Sequence, residues 1–147
     1  MQLVMYISDY CRPTNHLDAD LTDILKTAVA HNQTHSITGV LFFDNGKFIQ
    51  ILEGDANKLN ALVESIKLDT RHTNFKLLMN EPIDKREIKD WSMKAFDLSE
   101  HEPQDWTLLE DLRDAYLNTF KVSSKQITSW ISHFIKDYAR FKKNERL

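Results

Sequence analysis

Residues 36–54, "SITGVLFFDNGKFIQILEG", decide the fold. Two runs rich in apolar strand formers flank Asp44-Asn45-Gly46, the signature of a tight hairpin. Side chains alternate faces along a strand, so Phe48, Gln50 and Leu52 share one face while Lys47, Ile49, Ile51 and Glu53 share the other. Gln50 is thereby set into an apolar surface. A buried amide left unpaired costs on the order of 1–3 kcal/mol. The position therefore needs partners, and what this glutamine binds becomes the functional question.

Outward from the hairpin, "QLVMYIS" at 2–8 alternates and reads as a first strand. After a loop with Pro13 and Asn15, Leu17, Leu21, Ile24, Leu25 and Ala28 form a helical stripe. Leu59, Leu62, Val63 and Ile66 mark a second helix, with Asp55 or Asn57 as its cap. "NFKLLMNEPI" follows as a fourth strand and "DWSMKAF" as a fifth. The order βαββαββ implies a ferredoxin-like α+β sandwich: a mixed five-stranded sheet with both helices on one face. This core is expected over residues 1–97, with a two-helix extension over 98–147. In the extension, Trp106, Leu109, Leu112, Tyr116 and Phe120 form one apolar stripe, and Ile127, Trp130, Ile131, Phe134, Ile135, Tyr138 and Phe141 a wider one. Covering the free sheet face would bury this pair, and so would a second subunit.

Composition narrows the function classes. The chain has 147 residues, 41% hydrophobic, with a formal charge of −3, so no electrostatic case exists for a nucleic-acid partner. No apolar run approaches the ~18–20 residues of a membrane span, and Met1 opens on a strand-like segment and not on a signal peptide. Cys11 is the sole cysteine, which rules out an intrachain disulfide and points to a reducing cytoplasm. His31 and His35 stand four apart on the helix without a third ligand nearby, so no metal site is expected. The three glycines bracket strands and build no phosphate loop. No nucleophile elbow is present, and no enzymatic activity is expected.

Polar residues continue the buried stripes. One turn beyond Ala28 lies Asn32; three beyond Ile66 lies Asp69, followed by Arg71 and His72. Tyr6 shares a strand face with Val4 and Ser8. If that face meets the helices, Tyr6, Gln50, Asn32 and Asp69 converge with Ile24 and Ile66 on an amide-lined slot suited to a flat polar heterocycle. Taken singly, each has an ordinary role: Tyr6 as a core ring, Asn32 as a helix terminator, Asp69–His72 as a solvated turn, Trp91 and Met93 as packing.

As a set, "LVMYIS", "AHNQTHSITGVLFFDNGKFIQILEG", "DTRHTNFKLLMNEPI" and "WSMKAF" resemble the BLUF domain, a blue-light sensor module that binds FAD. The resemblance covers about residues 1–97. It implies that Tyr6 is the photochemical electron and proton donor and Gln50 the amide between that phenol and the flavin. It implies that Asn32 holds the pyrimidine edge, that Ile24 and Ile66 sandwich the ring, and that His31, Asp69, Arg71 and His72 contact the flavin or its tail. Trp91 and Met93 fall on last-strand positions that pass the signal outward. Ser36 stands where glycine is frequent, and Ala28 replaces a small hydroxyl residue. The output implied is a rearranged Gln50 hydrogen-bond pattern, relayed through the last strand and the C-terminal helices to a downstream protein effector. Self-association into a homo-oligomer is expected as well. The rival readings are a ferredoxin-like metabolite-binding domain and a self-associating interaction module, both without photochemistry.

Overall fold

The computed structural model describes residues 1–44, 46–89 and 91–97. All of them fall within the first of the two units into which the chain divides, Met1–Gln104. The expected C-terminal helix pair, its cover over the sheet and its part in self-association lie outside the described residues.

The elements run β1 (Gln2–Tyr10), α1 (Leu17–His35), β2 (Thr38–Asp44), β3 (Lys47–Gly54), α2 (Ala56–Lys67), β4 (His72–Pro82) and β5 (Lys94–Asp97), the expected βαββαββ order. The sheet order is β4-β1-β3-β2-β5. Antiparallel ladders join all neighbours except β2 and β5, which pair in parallel. The sandwich is therefore ferredoxin-like, with a mixed five-stranded sheet.

Local chemistry sets the boundaries. The hairpin closes through Gly46 at φ 79°, a left-handed conformation that favours glycine. Asp55 caps α2 by accepting from the Asn57 and Lys58 amides at 3.1 and 3.2 Å. α1 ends at Ser36, which carries φ 54°. That left-handed cap suits glycine better than serine.

Register puts Tyr6 opposite Gln50 and Gln50 opposite Leu41. Val4, Leu41, Phe43, Phe48 and Leu52 form a buried cluster with Leu59 and Val63 of α2, against which Leu21, Ile24 and Leu25 of α1 pack. The other face carries Leu3, Met5, Ile7, Val40, Phe42, Ile49 and Ile51, also buried.

One expectation needs correction. The fifth strand begins at Lys94, so Trp91 and Met93 lie on the segment leading into it. The chain bends at Ser92. The Ser92 carbonyl is taken by Asn32 Nδ2 at 2.7 Å, while Trp91 O accepts from the Gly39 amide at 3.0 Å. The side-chain bond from α1 displaces a regular ladder just before the strand.

Candidate functional site

Between α1 and α2, over the middle of the sheet, lies a cleft of about 330 Å³. This falls within the ~300–1,000 Å³ of small-molecule sites. All nine expected binding residues line it: Tyr6, Ile24, His31, Asn32, Gln50, Ile66, Asp69, Arg71 and His72. Thr27, Ala28, Leu41, Phe48, Leu62 and Ser65 complete the wall. Thr27 and Ser65 were legible only in outline, as neighbours of the α1 and α2 stripes.

At the floor, the Tyr6 hydroxyl donates to Gln50 Oε1 in a hydrogen bond between two buried side chains. Phe75 lies against the Tyr6 ring, centroids 4.7 Å apart. Burial pushes the phenol well above its ordinary pKa, and the negative charge of Asp69 adds to the shift. Tyr6 therefore keeps its proton against any ordinary base. Gln50 Nε2 points at Met93 Sδ, 3.7 Å away. A thioether is a weak acceptor, so this donor is underused, unlike the carbonyl end of the same amide.

Asn32, at the last turn of α1, is almost wholly buried. Besides holding Ser92, its Oδ1 lies 3.4 Å from His31 Nδ1. The His31 and His35 rings stack with centroids 4.2 Å apart, and among the described residues no group of three potential metal ligands occurs.

The mouth is closed by charge. Asp69, two residues past the end of α2, accepts from the Arg71 backbone at 2.9 Å and grips its guanidinium through Nε at 2.9 Å and Nη2 at 2.6 Å. The remaining arm, Nη1, reaches Asp23 of α1 at 2.8 Å. Arg71 thus ties the two helices together. The guanidinium holds the Asp69 carboxyl below the usual carboxylate range. His72 is fixed at both ring nitrogens, to the Ile66 carbonyl at 2.6 Å and the Ser8 hydroxyl at 2.7 Å. A carbonyl only accepts, so Nε2 carries a proton there. His72 and Asp69 shape the wall, and their polar atoms already have protein partners.

Trp91 does not line the cleft; Lys94 Nζ sits over its ring at 5.4 Å. Met93 is buried and reaches the cleft through Gln50. Gly39 permits this approach, since a Cβ there would stand 3.0 Å from Met93 Cε and 2.8 Å from both the Ile51 carbonyl and Leu52 Cδ2.

The apolar walls, the underused Gln50 donor and the buried Asn32 amide fit a flat heterocycle with a polar edge. Comparisons with known proteins agree. The model of the BLUF family, described as sensors of blue-light using FAD, matches residues 1–94. A photoactivated adenylate cyclase subunit beta of Euglena longa is 37% identical over 91 residues, which is 61% of this chain and 10% of that protein. The blue light- and temperature-regulated antirepressor BluF of Escherichia coli is 29% identical over 85 residues, 58% of this chain and 21% of that one. The chain thus spans only about a tenth to a fifth of the curated relatives it matches. Among solved structures, BlsA in its photo-activated state superposes with a TM-score of 0.73 at 28% identity, covering 90% of this chain and 94% of that one. The dark state of BlrB gives 0.70 at 26%, covering 86% and 92%.

Proposed function

The chain belongs to the BLUF family of blue-light sensors using FAD, and we propose that its light response runs through one pair of side chains, with Tyr6 as donor and Gln50 as switch. It is a photoreceptor; the carrying observation for the residue assignment is the Tyr6–Gln50 hydrogen bond at the floor of a cleft between two helices. Asn32 and Gln50 would bond the polar edge of the ring, Ile24 and Ile66 would lie against its faces, and Arg71 and His31 would meet the tail near the mouth. Asp69 acts by orienting Arg71, and His72 by bracing the wall.

Bound flavin supplies a strong oxidant on absorbing blue light. Tyr6 meets it as a neutral phenol that burial prevents from ionising alone, so electron and proton leave together. The proton has one path among the described contacts, into Gln50 Oε1. Glutamine suits the relay because one end accepts while the other donates. Once both the electron and the proton are back on Tyr6, the Gln50 amide would be left rotated or as its tautomer, with its bonds to the surroundings exchanged. In a low-dielectric cleft those exchanged bonds persist and retune the chromophore's absorption. Asparagine would not reach, and glutamate would bury a charge.

Met93 and Ser92, bonded to Gln50 and Asn32, are the first residues to feel the exchange. Their displacement biases the seating of β5, and a downstream protein effector reads it. The chain itself serves as the sensor, without catalysis of its own, in a cytoplasm suited to its single exposed cysteine.

The test is optical. Purified protein should be yellow and show a flavin absorption that shifts reversibly to the red under blue light; a flavin-loaded protein with no shift refutes the assignment.

A further inference from the structure

Among the described residues, Glu53 is a buried acid that the photochemistry leaves unused. It stands on β3 three residues after Gln50, on the reverse face of the sheet, and is fully buried. Leu3 of β1 and Thr38 of β2 flank it in register and carry no charge. Its Oε2 accepts from the Glu87 and Ile88 backbone amides at 2.8 and 3.0 Å. Oε1, equally buried, has no partner among the described residues.

The nearest cation passes the carboxyl by. Arg86 Nη1 donates to Thr38 Oγ1 at 2.5 Å and to the backbone carbonyl of Glu53 at 3.1 Å, and Nη2 donates to the Ser36 carbonyl at 2.8 Å. A buried carboxylate with one unpaired oxygen and no direct ion pair is costly, and protonation relieves most of that cost. Burial pushes this carboxyl up, with the Glu87 charge adding to it, against the opposing pull of the two backbone amides and Arg86.

The residues that Glu53 holds begin the run to the switch. From Glu87 and Ile88 the chain reaches Trp91, bonded to Gly39, then Ser92, bonded to Asn32, then Met93 at Gln50. One strand, β3, therefore grips both ends of this connector: Gln50 from the cleft side and Glu53 from the reverse. With its near end free, the connector would absorb a movement of Met93 as slack. With its near end pinned, the same movement loads the bonds at Ile88, Trp91 and Ser92.

We propose that Glu53 is a positioning residue for the light response: its carboxyl anchors residues 87–88 to the back of β3, so that rearrangement of the Gln50 amide strains the connector and alters the bonding of that carboxyl itself. This rests on the assignment of Gln50 as the switch. No catalytic part is assigned to Glu53, which lies across the sheet from the cleft.

Light-minus-dark infrared difference spectra of the full chain with flavin bound test it, using unlabelled protein, protein with isotope-labelled glutamate, and Glu53→Gln. The expected result is a carboxylic-acid carbonyl band that responds to light, moves with the glutamate label and vanishes in Glu53→Gln. That isosteric neutral variant should keep the visible red shift while its dark recovery changes by roughly threefold or more. A wild-type protein that shifts to the red with no such band overturns the proposal, as does a band that survives in Glu53→Gln. Loss of the red shift in wild type would instead strike the Tyr6–Gln50 assignment, so the two failures are distinguishable.

Discussion

The amide nitrogen of Gln50 lies 3.7 Å from the sulfur of Met93, joining residues 43 positions apart. Its carbonyl end faces Tyr6. One side chain thus touches the proposed donor and the approach to the last strand at once, and any exchange of its two ends is felt on both sides.

Gln50→Leu should preserve flavin binding, because the apolar walls remain, yet abolish the light-induced red shift. Tyr6→Phe should likewise bind flavin and fail to enter the photocycle. Absorption spectra before and after blue light decide both; a retained shift in either removes that residue from the proposed pair.

Met93→Leu keeps the volume but removes the sulfur, a substitution that costs under ~1.5 kcal/mol in a packed core. The red shift should survive, while the lifetime of the shifted form changes, read as the rate of dark recovery. An unaltered rate would mean that the Gln50–Met93 contact carries no signal.

Gly39→Ala should destabilise the fold by ~1–3 kcal/mol, since the new methyl meets the Ile51 carbonyl at 2.8 Å. Denaturant titration measures it. Ser36→Gly should act the other way, stabilising by up to ~1 kcal/mol, because φ 54° suits glycine.

Asp69 provides a pH test. Arg71 depresses its folded-state pKa, so its ionised form stabilises the fold above the ordinary carboxylate range, and that contribution is lost as pH falls through the depressed value. Both partners are partly exposed, which keeps the effect on the scale of a surface pair, under ~1 kcal/mol. Thermal midpoints between about pH 7 and pH 3 should show wild type losing its advantage over Asp69→Asn on the acid side.

The hairpin, both amphipathic helices and the order of elements along the chain were legible because apolar periodicity and the Asp-Asn-Gly turn state them directly. The cleft was legible too, since Asn32 and Gln50 interrupt stripes that are otherwise apolar. The start of β5 was not. "WSM" has the composition of a strand, and only a bond from Asn32, 60 positions away, bends it. Glu53 carries a signal of its own: it follows Ile49 and Ile51 on the same strand face, where a charged residue demands an explanation. Pairing among Arg71, Asp69 and Asp23 depends on how α1 and α2 approach, which no local pattern encodes.

β5 is held to β2 by a four-residue parallel ladder at the margin of the described sheet. Short marginal strands open with a small fraction of the energy needed to unfold the domain. A short seam of this kind lies directly downstream of Ser92 and Met93. On the proposed mechanism, a swap worth a hydrogen bond or two, a few kcal/mol at most, would be enough to tip such a seam.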